Sequence, residues 1–140
     1  MKYICEFFSA SDRTDGGIYR MALTDTLDFI EISKINLPNV QWIELDGDRL
    51  CAAYRDKQNG DGYVEFSLDG KRLGDIIRTR GENVCQFSKY GNDVYFANYD
   101  DVSVSKSRAK ARGRHGRRLL TLTNAFFLRI SGMCLRATSG

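Results

Sequence analysis

The stretch GENVCQFSKYGNDVYFANYDDVSVSK, Gly81 to Lys106, decides how the rest of the chain is read. It holds three short strand-like runs. The middle one, Val94-Tyr95-Phe96-Ala97-Asn98-Tyr99, combines aromatic and β-branched side chains, which suit a pleated, half-buried surface. Gly91-Asn92-Asp93 ahead of it is a hairpin signal, because Gly and Asn accept the left-handed backbone of a tight turn.

Upstream the pattern occurs again. Gly17-Ile18-Tyr19-Arg20-Met21-Ala22-Leu23 lies over Gly62-Tyr63-Val64-Glu65-Phe66-Ser67-Leu68 at an offset of 45, and Ile32 over Ile77, Trp42 over Phe87, Asp48 over Asp93 and Tyr54 over Tyr99 keep that offset. Cys5 and Phe8 precede Cys51 and Tyr54 by 46. Period-2 alternation and turn residues mark strands over Lys2–Phe8, Ile18–Leu23, Leu27–Leu37, Val40–Leu45 and Arg49–Tyr54, with a loop over Ser9–Gly17 and turns at Asp25-Thr26, Pro38-Asn39 and Asp46-Gly47. A unit of about 45 residues with roughly four short strands is the pattern of propeller blades. The expected fold is all-β: a partial β-propeller of about two four-stranded blades plus the start of a third, then an irregular or partly helical basic tail. Propellers close with typically four to eight blades, so open sheet edges that invite self-association are expected as well.

Charge sets the boundary between body and tail. The net charge of +3 averages two unlike segments. Residues 1–105 hold all 18 acidic residues against 12 Lys and Arg, a balance of −6, whereas residues 106–140 hold nine basic residues and no acid. At the body's rate the tail should carry about six acids. Residues 1–105 therefore read as the partial propeller and 106–140 as a basic tail outside it. Because the acids vanish and the repeat stops in mid-blade, the tail also reads as a shifted reading frame, which the gene sequence tests.

Other classes are excluded on residue grounds. Cys5, Cys51, Cys85 and Cys134 form no C-x-x-C and no metal-ligand spacing with the single His115, so reduced thiols, no metal and no cofactor are expected. Glu6 interrupts the N-terminal apolar run, which is too short for a signal peptide. No run approaches the ~18 apolar residues of a spanning helix, so no membrane span and a cytoplasmic location are expected.

With GGIYRMAL, LPNVQWIEL, DRLCAAYR and GYVEFSLDGKRL, the opening stretch resembles the lactonase family of seven-bladed β-propellers, the 6-phosphogluconolactonase type. The similarity is an ordered set: a G-I-Y strand, a Pro-containing approach to a strand, a strand ending in Tyr plus a polar residue, a G-x-V-x-F strand, and A-N-Y followed by S-V-S. It covers residues 1 to about 106. The resemblance implies a hydrolase of carbohydrate metabolism, in the pentose phosphate pathway, acting on a small-molecule sugar lactone in a central funnel without a metal. Such chemistry needs a group to activate water, donors for the developing oxyanion and cations for the phosphate.

Carried over residue by residue, the resemblance leaves Glu6, Arg55, Gln86 and Asn98 as candidate catalytic or binding residues. Family members commonly place a His after the position of Cys85; Gln86 stands here, and it cannot act as a base near neutral pH. Where a Glu often follows the Tyr matching Tyr54, the chain has Arg55, either a holder of phosphate or carboxylate or a solvated cation. Asn98 matches the A-N-Y motif, with satisfying backbone groups at a blade corner as its structural role. Glu6 would have a raised pKa if buried, and otherwise lies on the wet face of an edge strand. As a fragment, the chain is expected to have low or no activity alone. The alternative is a non-enzymatic binding or interaction module completed by self-association. In the tail, Ser105–Arg118 reads SKSRAKARGRHGRR, a basic arm lacking the interleaved aromatics of single-strand binders, so no nucleic-acid partner is expected, and His115 is flanked by arginine and glycine rather than by catalytic partners.

Overall fold

The computed structural model describes residues 1–108 and the backbone of 134–136. Among them there is no helix. The strands are β1 (Tyr3–Ala10), β2 (Gly17–Thr24), β3 (Phe29–Asn36), β4 (Val40–Asp46), β5 (Arg49–Tyr54), β6 (Gly62–Ser67), β7 (Ile77–Arg78), β8 (Val84–Tyr90), β9 (Asp93–Asn98), β10 (Ser103–Arg108) and β11 (Cys134–Arg136). They form three antiparallel sheets: a first sheet β11-β1-β2-β3, a middle sheet β4-β5-β6-β7 and a last sheet β8-β9-β10. No described helix is long and apolar enough to cross a membrane. The sheets stack in chain order, and β4 lies beside both β8 and β11, so the leading strands form one row.

Local chemistry repeats from sheet to sheet. Asn39 and Asn83 enter β4 and β8 with left-handed backbone (φ 55° and 62°), which Asn tolerates better than most residues. A bulge follows at once, between Val40 and Trp42 in one hairpin and between Val84 and Gln86 in the other. It puts Val40 and Ile43 on one face although they are three apart, and does the same for Val84 and Phe87. Gly47 and Gly91 close the two hairpins at φ 63° and 59°. A backbone bond then ties each hairpin's exit to its entry: Arg55 N donates to Asn39 O and Tyr99 N to Asn83 O, both at 3.0 Å.

Two apolar cores lie between the sheets. The first–middle seam joins Phe8 and Ile18 to Val40, Ile43, Leu50, Ala52, Tyr54, Val64 and Phe66. The middle–last seam joins Cys51, Ala53 and Tyr63 to Val84, Phe87, Val94 and Phe96, with Tyr63 edge-on to Phe87 at 4.9 Å. β5 serves both, sending Leu50, Ala52 and Tyr54 one way and Cys51 and Ala53 the other. Its small side chains suit a strand packed on both faces.

The single offset of 45 is corrected by the strand register. Tyr54 pairs with Val40 and Asn98 with Val84, so Asn98 stands where Tyr54 does and Tyr99 where Arg55 does, 44 positions on. Likewise Phe87 matches Ile43, and Gln86 matches Trp42. In β2 and β6 the offset of 45 holds for Ile18 and Tyr63, but their partners Ile35 and Ile77 are 42 apart, so Ile77 matches Ile35 rather than Ile32. Phe8 and Tyr54 belong to opposing sheets of the same seam. Connections that differ by one to three residues shift the spacing, and an odd shift turns a strand's faces over. β10 runs on through Lys106, Ser107 and Arg108, past the compositional boundary at 106. Apart from β11, the tail expectations, His115 included, lie outside the described residues.

Candidate functional site

The middle–last seam also carries a dense set of polar contacts. At one end β5 leads into the loop 55–61. Asp56 accepts the backbone N–H groups of Gln58 and Asn59 and the Asn59 amide, each at 3.0 Å, and these bonds hold its carboxyl below the usual range. Asp61 is buried and accepts from Asp56 N at 3.0 Å and from Val84 N at 2.7 Å. Arg55 Nε donates to Val84 O at 3.3 Å. Both backbone polar groups of Val84 are thus held by the middle sheet's loop. Arg78 Nη1 donates to Gly60 O at 2.5 Å and to Tyr54 Oη at 3.3 Å, closing the loop.

Asn98 sits at this end with 5% of its surface exposed. Its Nδ2 donates to Ser103 Oγ at 3.2 Å and Ser105 Oγ at 3.1 Å, while Oδ1 has no hydrogen-bond partner among the described residues. Gly81 presses on it so closely that any Cβ there would collide with the amide.

At the other end Lys89 reaches from β8 into the middle sheet. Its Nζ lies 2.9 Å from both Asp46 Oδ2 and Glu65 Oε1. Glu65 also accepts from Tyr63 Oη at 2.7 Å and from Arg49 Nη1 at 3.0 Å. Burial pushes Glu65 upward, but the bonds from Tyr63, Lys89 and Arg49 together hold it below the usual carboxylate range. Burial lowers Lys89, and the bonds to Asp46 and Glu65 outweigh it, leaving the ammonium above its ordinary value. Beside them burial raises Glu44, despite the Trp42 indole N–H at 2.9 Å, and pushes the Cys51 thiol up to about 11.

Of the four sequence candidates, the structure brings Arg55 and Asn98 to one end of this seam. Gln86 is exposed on the far face of the last sheet. Glu6 lies on β1, where Arg20 holds Oε2 through Nη2 at 2.5 Å and Nε at 3.0 Å. Two expected roles change. Arg55 is partly buried and spends its Nε on a backbone carbonyl, and Asn98 satisfies serine hydroxyls instead of backbone groups. The Lys89–Glu65–Asp46 network carries no motif in the sequence because its members lie on three different strands; the one available signal is Glu65 in the interior of an otherwise apolar strand.

Chemically the network is a clasp. Lys89 is fixed as a cation and Glu65 as an anion, so neither is poised to exchange a proton near neutral pH. Among the described residues no group of His, Cys, Asp and Glu could hold a metal ion. An open groove of about 380 Å³ lies elsewhere, on the outer face of the first sheet, lined by Phe7, Ser9, Tyr19, Met21, Phe29 and Glu31. Compared with family models, with curated proteins and with solved structures, the chain matches none.

Proposed function

We propose that residues 1–108 are three successive blades of a lactonase-type β-propeller, and that the chain alone hydrolyses sugar lactones little or not at all. The observation that carries the reading is the strand-for-strand repeat: a left-handed Asn, a bulge, a Gly turn and a closing backbone bond recur in β4–β5 and β8–β9. The row formed by β11, β4 and β8 supports it, since a propeller lines its axis with the leading strand of each blade. Low activity follows from how the candidate residues are occupied: Glu6 by Arg20, Arg55 by Val84, Asn98 by two serines. Gln86 cannot replace a general base. The test is hydrolysis of 6-phosphogluconolactone by the purified full chain, with a rate equal to buffer expected. A rate well above buffer that Arg55→Ala abolishes would overturn the low-activity reading.

A second reading, a non-enzymatic interaction module, is favoured by one observation. The outermost faces of the first and last sheets are uncovered by any other described strand, and Phe29 and Val104 are 63% and 75% exposed there.

A further inference from the structure

We infer that a second copy of this chain docks head to tail, with the outer face of the last sheet of each copy seated on the outer face of the first sheet of the other. This inference rests on the blade reading. Its basis is that equivalent faces pack on each other twice, at the two internal seams, and that one face of each kind is left uncovered by the described strands.

The register identifies the open faces. On β10, Ser103 and Ser105 reach Asn98 and Ser107 reaches the Arg78 carbonyl, so these serines turn to the seam and Val104, Lys106 and Arg108 turn outward. On β9, Phe96 and Val94 face the seam, which leaves Tyr95 and Ala97 outward, with Lys106 Nζ 5.6 Å from the Tyr95 ring. Val104 pairs with Ala97 as Tyr63 pairs with Ala53, so Val104 occupies the place that Tyr63 has in the middle sheet. Tyr63 meets Phe87 and Phe96 of the next sheet. Val104 therefore presents, unpartnered, the position that carries the middle–last seam.

The acceptor is the groove on the first sheet. Tyr19 and Met21 stand where Val64 and Phe66 do, since Ile18 and Tyr63 are matched. Ser9 pairs with Tyr19 as Ala52 pairs with Val64, so Ser9 holds the place of Ala52, and through it that of Phe96. Val64, Phe66 and Ala52 are the face onto which the first sheet packs. Phe7, Phe29 and Met21 make the groove apolar, and Phe29 meets Phe7 edge-on at 5.8 Å. At the rims, Glu31 borders the groove and Lys34 lies over the Tyr19 ring that lines it while donating to the Asp15 carbonyl, and the donor face carries Lys106 and Arg108 paired with Asp93.

Two copies give two such contacts related by a two-fold axis, which closes the assembly. Three sheets from each copy make a ring of six, inside the usual range of four to eight blades. By contrast, an open head-to-tail series would leave one face of each kind wet at its ends.

Sedimentation velocity of the full chain tests this, with a particle of twice the 15.9 kDa chain mass expected. Val104→Asp and Phe29→Asp should each weaken the dimer by at least about tenfold while circular dichroism stays β-type. Ser9→Cys with Val104→Cys should give a disulfide-linked dimer on oxidation that neither single variant gives. A folded wild-type monomer overturns the pairing. So does an open series of higher oligomers, or a cross-link in Ser9→Cys alone. Hydrogen exchange separates this failure from failure of the blade reading. Slow exchange in β5 and β9 of a monomer leaves the blades standing, whereas fast exchange there removes both.

Discussion

The two internal seams use one backbone plan and different adhesives. The first–middle seam combines apolar side chains such as Phe8, Ile18, Leu50 and Phe66 with a backbone latch, in which Val40 N donates to Ser11 O at 3.2 Å and Asn39 N to Arg13 O at 3.0 Å. The middle–last seam holds the equivalent Val84 N with the Asp61 carboxylate instead of a carbonyl, and adds Arg55 on the Val84 carbonyl and a lysine clasp at the other end. Apolar burial is non-directional and tolerates slippage, whereas an ion pair and a backbone latch fix one sheet's position against the next. The repeat therefore sets where sheets stack, and the polar ends set their register.

Core truncation should have the largest effect and should not distinguish the seams. Phe96→Ala is expected to cost about 3–5 kcal/mol and Leu50→Ala about 2–5 kcal/mol in urea unfolding, because each empties a site with no solvent exposure. A loss under about 1 kcal/mol at either would remove that seam from the core. Next is Gly81→Ala, where the new methyl meets the Asn98 amide and should cost about 1–3 kcal/mol, with unfolding midpoints as the readout.

The polar clasp should separate the seams through pH. Lys89 is raised from its ordinary 10.5, so its contribution is complete below that value and is lost as pH rises through the folded value. Glu65 is lowered from 4.5, so its contribution is present above 4.5 and is lost as pH falls through the folded value. Lys89→Met should cost about 1–3 kcal/mol near neutrality and flatten the alkaline loss of stability. An unchanged alkaline limb would show that the clasp contributes nothing. The smallest effect is opposite in sign. Burial raises Glu44, so its favourable contribution is present below its ordinary 4.5 and lost as pH rises, and at pH 7 the buried anion is a burden. Glu44→Gln keeps an oxygen for the Trp42 indole and should raise the melting temperature, worth under about 1 kcal/mol; a lowered melting temperature would contradict this.

The strands were legible because β-branched and aromatic runs sit between Gly, Asn and Asp turns, and β5 is placed to the residue. What escaped was parity. The hairpins β4–β5 and β8–β9 carry the same bulge and lie 44 residues apart while β2 and β6 lie 45 apart, so connections of unequal length, which leave no composition signal, decide whether Trp42 or Ile43 matches Phe87. That slip made Tyr99 the partner of Tyr54, when the register assigns that place to Asn98. Of the candidate site, Arg55 and Asn98 were reachable only through the family resemblance. The Lys89 clasp was not, because Asp46, Arg49, Glu65 and Lys89 converge only once strands from two sheets are stacked.

One pairing described above bears on the order of folding. β11 joins the first sheet by setting Cys134 opposite Phe8, across most of the chain's length, while the middle and last sheets are built from neighbouring hairpins. Local hairpins close early and distant strand pairs close late, because the loop entropy has to be met before the contact forms. The middle and last sheets can thus mature while the edge of β1 still lacks its partner. During that interval the unpaired edge is the place where intermediates would aggregate, and residues 134–136 set how long the interval lasts.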